Sequence, residues 1–319
     1  MATSALFAAA ISTAAFAAEW RVYTYTSAAQ PSYKMLERIA KEFGEASGGE
    51  LTFKLNVGGS LPIPAANITQ AVGDGLIELA GDGFYTGSIP IGGIAFLPML
   101  LGTPEEFATG YRILEPYLAE ALESRGVKLI GHYAYPLQTM FANAKVASLE
   151  DLKGRRTRVT STEQAEFVRR LGANPVTIGT PEVASALQRG LINVIFTASS
   201  GGARTYHEML THNYRLGPNF HLSLVTVNLK KFNELSAERK QRLIAITKTA
   251  TEEATAEYAV QEVKFTNEYR GRGMVVTEPA DADKQRATNM LRGFWDDWSK
   301  RQGGKSEEAL RAIRLAIKK

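Results

Sequence analysis

His207 and His212 flank Glu208 in a stretch with the residue types of a zinc site. The H-E-x-x-H pattern needs its histidines four apart, so that one helical turn aims both at a single metal. Here they stand five apart and fall on different faces, so no metal site is expected, and His132 and His221 are distant in sequence. Ser199 and Ser200 precede Gly201 and Gly202 without the G-x-S-x-G elbow that activates a serine, and the chain has no cysteine. Asp296 and Asp297 adjoin Trp298 in a helical pattern and read as surface. No catalytic residue is assigned. The run Gly81-Asp82-Gly83-Phe84-Tyr85-Thr86-Gly87 fits neither phosphate-binding spacing, G-x-G-x-x-G or G-x-x-x-x-G-K-[ST]. Its glycines would instead let the backbone approach a ligand or a crossing segment. Phe84 and Tyr85 then read either as pocket walls or as core aromatics of a plain turn.

Arg158 carries the clearest positive signal. A guanidinium is a planar fork of donors that matches a carboxylate in geometry as well as charge. With Arg155 and Arg156 beside it, a solvated surface role is the alternative. The elements around it decide where it points. Residues 156–159 form a short extended run, and Ser161 is placed to cap the next helix, with Gln164 completing a capping box. Phe167, Val168 and Leu171 share one face of that helix, and Gly172 ends it. Residues 176–178 form a strand, Thr180 caps a helix with Pro181 in its first turn, Gly190 suits a left-handed C-cap, and 191–196 form a buried strand. Strands alternating with helices imply parallel pairing, and ligands of such sheets lie outside the carboxyl ends of the strands. Arg158 and residues 197–202 lie near those ends.

The remaining chain supplies a second unit of the same kind. Residues 20–26 form a strand, and Pro31 opens a helix with Leu36, Ile39, Ala40 and Phe43 on one face. Gly48 and Gly49 stop it, and Leu51, Phe53, Leu55 and Val57 alternate as a strand. A short helix over 65–72, strands at 77–80, 127–130 and 223–228, a helix over 104–124 and a crossing over 133–141 follow. Between Ser236 and Arg270 there is no Gly or Pro, and Leu243, Thr247, Ala250, Ala254, Tyr258, Gln261 and Phe265 step along one face. Such a helix is about 50 Å long and spans more than one unit. Residues 275–277 form a last strand, and amphipathic helices with Phe294, Trp295 and Trp298 end the chain.

At 319 residues, 45% hydrophobic and 22% charged, the chain is ordinary globular protein. The net charge of +4 is spread along it, which gives no footing for nucleic-acid binding but favours acidic ligands. Residues 1–17 are apolar, uncharged and end in Ala15-Phe16-Ala17, an A-x-A signal. They read as a signal peptide, and the absence of cysteine agrees with a secreted, oxidising destination.

The segment Asp151-Leu152-Lys153-Gly154-Arg155-Arg156-Thr157-Arg158-Val159, then Leu171-Gly172-Ala173-Asn174-Pro175-Val176, then Glu182-Val183 with Ala186-Leu187-Gln188-Arg189-Gly190, resembles the solute-binding proteins of tripartite ATP-independent periplasmic (TRAP) transporters. The likeness extends more weakly from about Trp20 to Trp298. Two departures from the family pattern stand out. Gln138 lies where some relatives have a second arginine, and Thr197 where several have an asparagine.

The resemblance implies a two-lobed α/β periplasmic binding protein with a long helix spanning both lobes. Lobe I would comprise 18–135 and 223–265, lobe II 136–222 and 266–292, with C-terminal helices over 293–319. Closure would bring Arg158, Ser161, Thr197 and Ser199 toward Tyr25, Phe84 and Tyr85, with Gln138 near the crossing and Tyr133 and Phe196 available at the cleft. The expected ligand is a small-molecule carboxylate, delivered as a monomer to the membrane permease subunits of a TRAP transporter, with no cofactor and no reaction. One arginine, a neutral Gln138 and aromatic walls suit a monocarboxylate with an apolar, aromatic or keto body. A dicarboxylate paired with Arg155 or Arg204 is the alternative. Two other classes compete: an α/β hydrolase using Ser199 or Ser200 on a carboxylate substrate, and a binding protein of an ATP-driven or tripartite tricarboxylate system.

Overall fold

The computed structural model describes residues 18–58, 60–178 and 182–319. The candidate signal peptide and the Thr180–Pro181 helix start lie outside the described residues. The chain begins with β1 (Ala18–Thr24), β2 (Leu51–Asn56), β3 (Leu79–Asp82) and β4 (Val127–Tyr135). It continues through β5 (Thr139–Ala142), β6 (Arg156–Val159), β7 (Asn174–Thr177), β8 (Val194–Thr197) and β9 (His212–Tyr214), then β10 (His221–Asn228) and β11 (Val275–Thr277). These strands form two sheets, ordered β2-β1-β3-β10-β4 and β11-β9-β5-β8-β6-β7. The parallel pairing expected around Arg158 is present, since β6 runs parallel to both β7 and β8. The strand at 77–80 sits two residues later, and that at 127–130 continues to Tyr135 because β10 gives it a partner along its whole length.

Each sheet is covered by helices whose boundaries follow local chemistry. In α1 (Pro31–Ala46) the buried stripe Met35, Leu36, Ile39, Ala40 and Phe43 lies on β1, and Gly48 and Gly49 take positive φ in the following turn. After α2 (Ile68–Gly73), α3 (Pro104–Glu123) opens with a complete capping box, Thr103 with Glu106. In α4 (Thr162–Arg170) Ser161 caps the first turn as expected. Gln164 does not close the box: its side-chain oxygen accepts from the amide and hydroxyl of Thr160 instead. Gly172 and Gly190 both take positive φ, at 72° and 65°, as their cap positions require. The short helices α5 (Val183–Gln188), α6 (Ala203–Tyr206) and α7 (Leu229–Glu234) follow.

The long helix α8 (Ala237–Gly271) matches its expectation to within a residue. Its buried face runs Leu243, Ile246, Ala250, Ala254 and Tyr258 over the first sheet. Beyond Tyr258 the face differs from expectation, passing through Glu262, Thr266 and Tyr269 rather than Gln261 and Phe265. There the helix leaves an apolar sheet and covers the loop after β8, whose backbone needs polar partners. Finally α9 (Asp281–Gln302) and α10 (Gly304–Ile317) close the chain. The first of these also bridges the two sheets. Near its start Asp283 accepts from the Tyr214 hydroxyl of β9, and near its end the Trp295 indole donates to the carbonyl of Pro98. The stretch 96–100 is core, as expected, and its Met99 amide donates to Pro218 in the segment joining β9 to β10.

Candidate functional site

The chain passes between the sheets at 136–138 and 215–220, and the strand ends beside these crossings face one another. Thr24 and Asp82 end β1 and β3, so Tyr25 and Phe84 follow directly at the edge of the first sheet. Strand β10 runs antiparallel to β3 and β4, which puts its first residue, His221, beside Tyr135 at the same edge. The second sheet contributes the carboxyl ends of β6 and β8, with Arg158 and Thr197.

Arg158 is half-buried, and its Nε donates to the Ile178 carbonyl at 3.3 Å. Burial pushes the guanidinium pKa down, while the phenol oxygens of Tyr206 and Tyr25 act in the opposite direction. Arg158 thus lies near one tyrosine from each sheet. Tyr206, on α6, was not singled out in the sequence. The rule that located Arg158, carboxyl ends of parallel strands, points equally to the helix after β8 and was available to find it.

The facing wall is aromatic. Tyr25 and Phe84 meet edge-to-face at 5.3 Å, as two half-buried rings. The imidazole of His221 then packs edge-on against Phe84, Phe96 and Tyr135 at 5.9, 5.0 and 6.1 Å. Burial lowers the His221 pKa to about 4, so the ring is neutral at physiological pH. Gly83 and Gly201 make this packing possible. A Cβ on Gly83 would stand 2.8 Å from His221 Nε2, and one on Gly201 would stand 1.8 Å from the Tyr135 hydroxyl oxygen. Asp82 fixes the turn that carries Phe84, accepting from the Phe84 amide at 2.9 Å and from the Thr69 hydroxyl at 2.6 Å. Burial raises its pKa to about 6.

Several expected site residues have other duties. Tyr85 is fully buried in the core of the first sheet, packed on Phe96 and under Gly92, because the 3-10 turn after Phe84 turns the next side chain inward. Tyr133 stacks on Tyr258 and Phe196 packs on Phe167, so both are core rather than cleft. Ser199 is fully buried: its hydroxyl pairs with Thr266 and its amide donates to Glu262. Ser200 donates both its amide and its hydroxyl to the same carboxylate, at 2.9 and 3.0 Å. Arg215 Nη1 donates to Glu262 at 3.3 Å and to Thr266 at 3.1 Å. This buried cluster holds the loop between β8 and α6 onto α8, and a serine-nucleophile reading loses both its hydroxyls to it. Glu262 had a sequence signal, since it lies in step by fours with Ala254, Tyr258 and Thr266.

Three others are placed at the cleft but engaged locally. Ser161 caps α4. Thr197 Oγ1 accepts from the Gly202 amide at 3.0 Å, and Gln138 turns its amide back onto the Pro136 carbonyl at 2.8 Å. Of the candidate second cations, Arg155 binds the carbonyls of Asp151 and Lys145 before β6 begins, at the far end of that strand. Arg204 lies over the Phe265 ring at 4.7 Å. His207 stacks on Tyr269 while His212 opens β9, and among the described residues no cluster of metal-ligating side chains forms.

Residues 22–302 match the family model of the bacterial extracellular solute-binding proteins, family 7 (DctP). The chain is similar to the protein YiiZ of Salmonella typhimurium, with 27% identity over 178 residues, and spans about half that protein's length (53%) with 53% of its own. In structure it is similar to DctP7 of Bordetella pertussis, an extracytoplasmic solute receptor binding pyroglutamic acid. The TM-score is 0.86 at 23% identity, covering 93% of this chain and 100% of the other. A second Bordetella pertussis receptor binding pyroglutamic acid, DctP6, is 26% identical with a TM-score of 0.85, over 93% of this chain and 99% of its own. The two-lobed α/β architecture with its spanning helix is therefore the fold of these receptors.

Proposed function

Because the chain belongs to family 7 of the bacterial extracellular solute-binding proteins, we propose that its cleft captures an organic monocarboxylate in the periplasm and delivers it, as a monomer, to the membrane permease of a TRAP transporter. The observation that carries this reading is Arg158: a guanidinium at a strand end whose charged form burial disfavours. Its planar fork of donors matches an incoming carboxylate in both charge and geometry. The protein has a binding role and no reaction.

A single carboxylate is favoured over two. Arg155 is held at the other end of β6, and the wall facing Arg158 is built from Tyr25, Phe84 and a neutral His221. A second carboxylate against that wall would be desolvated, and Arg204, whose charge reaches the Tyr135 phenol, is laid over the Phe265 ring. The two sheets act as lobes, 18–135 with 223–265 and 136–222 with 266–292, that close by bending at 136–138 and 215–220. The pyroglutamate bound by DctP6 and DctP7 is a ring monocarboxylate and is the first probe to use here.

Thermal-shift and calorimetric titrations with pyroglutamate and with succinate test the reading in the wild type and in Arg158→Ala. Breaking a desolvated charge pair costs about 2–5 kcal/mol, so the folded variant loses about thirty-fold or more in affinity for whichever monocarboxylate binds. Near-normal affinity in folded Arg158→Ala, or stabilisation by succinate alone, overturns it.

A further inference from the structure

We infer that the cleft has a second, uncharged recognition pole centred on His221, which hydrogen-bonds a neutral polar group, a lactam, amide or remote ketone, on the same ligand whose carboxylate meets Arg158. The inference rests on the carboxylate reading above and narrows it to acids that carry such a group away from the carboxylate.

Four observations converge on this residue. His221 is the one residue of β10 that is only partly buried; the seven that follow it are buried. Its ring is bounded edge-on by Phe84, Phe96 and Tyr135, a frame that fixes the imidazole plane without using its nitrogens. The backbone of Gly83 lies along the Nε2 edge of the ring, where there is no room for a side chain. A neutral imidazole carries one donor and one acceptor nitrogen, so such a ring can meet either kind of polar group. Last, Phe84 links this frame to Tyr25, and Tyr25 is the residue of the first sheet that approaches Arg158. The two poles therefore sit on different sheets, joined by one aromatic wall. A ligand that satisfies both ties the sheets together, whereas an acid with an apolar far end engages only the arginine side.

The chemistry of the pole follows from its neutrality. An uncharged imidazole offers a hydrogen bond to a carbonyl or amide but gives no compensation to a second carboxylate. Sites built to hydrogen-bond a polar group reject the analogue that lacks it, because their own buried polar atoms are then left unpaired.

The test uses matched acids: pyroglutamate against cyclopentanecarboxylate, and levulinate against pentanoate. Each pair shares a carboxylate and a similar carbon frame, and one member lacks the remote carbonyl. Calorimetry on the wild type should show a preference of about tenfold or more for the carbonyl-bearing member of at least one pair. In His221→Leu that preference should fall to within about threefold, whatever the change in affinity common to both members, as expected for one lost neutral bond. His221→Asn, which retains a polar group, should keep part of it, and its graded loss decides the matter if the leucine variant does not fold. Equal affinities within both pairs in the wild type, or an unchanged preference in His221→Leu or His221→Asn, overturn the second pole and leave the Arg158 reading standing. No response to any of the four acids overturns the carboxylate reading and this inference with it.

Discussion

Replacing Glu262 by alanine probes how the cleft loop between β8 and α6 is held. In the wild type its carboxylate accepts from the Ser199 amide at 3.1 Å, the Ser200 amide at 2.9 Å, the Ser200 hydroxyl at 3.0 Å and Arg215 at 3.3 Å. Ser199 and Ser200 are both fully buried, so no water replaces the lost acceptor without rearrangement. A buried donor left unpaired costs about 1–3 kcal/mol, and two backbone amides alone set a floor of about 2 kcal/mol. Arg215 keeps its neutral partners Asn213 and Thr266, but its remaining carboxylate is the exposed Glu278 at 3.5 Å, so its charge adds to the loss. The expected total is about 3–5 kcal/mol, near the cost of removing one partner of a buried pair. Glu262→Gln retains an acceptor oxygen for one or two of these donors and should lose about half as much. Urea unfolding with an unchanged m-value reads the difference directly. A loss under about 1 kcal/mol for Glu262→Ala would refute the reasoning, since it would mean the donors find other partners at no cost. Ligand affinity measured on the same variant should fall too, because the loop leads into the helix that carries Tyr206.

Two further perturbations test the wall opposite. Asp82 has a folded pKa of about 6 against 3.8 when solvated, so the folded state holds the extra proton between those values and stability falls as pH rises through about 4 to 6. Asp82→Asn removes that loss, and its stability relative to wild type should rise by about 2.4 kcal/mol between pH 4 and pH 7, read by unfolding at both; parallel curves would refute it. His132 and His221, both lowered to about 4, act with the opposite sign as pH falls below about 6.5, but they cancel in this comparison. Gly201→Ala forces a methyl group against the Tyr135 hydroxyl, where overpacking costs about 1–3 kcal/mol. Because the contact joins the two sheets, its ligand affinity should drop as well, and a calorimetric titration matching wild type would argue that the cleft closes without it.

What could be read from the residues alone was what local chemistry decides. The Ser161 cap, the left-handed turns at Gly172 and Gly190, and the uninterrupted helix over α8 all depend on neighbours within a few positions. The place of Arg158 at the carboxyl end of β6 was legible because the alternation of short strands and helices around it implies a parallel unit. Tyr85 was not, since one turn of 3-10 helix decides whether Phe84 or Tyr85 faces the core. Ser199 read as a ligand contact because its true partners, Glu262 and Thr266, arrive from a helix over sixty residues later. His221 gave no signal for a related reason: its aromatic frame is drawn from the ends of β3 and β4 and from Phe96, and only the pairing of β10 brings them together.

That same pairing sets the order in which the molecule can assemble. Strand β10 lies between β3 and β4, yet it follows both in the chain, with nearly the whole second sheet synthesised in between. Until residue 228 is available the first sheet exists as two pieces, β2-β1-β3 and β4, each with an open apolar edge. This inner strand is the last to enter, so the contacts that unite the sheet span the longest loops, and folding of this kind is slow. It also means that neither sheet can be excised as a contiguous fragment that keeps its own core. A chain truncated before β10 is expected to behave as an aggregation-prone intermediate, not as half a receptor.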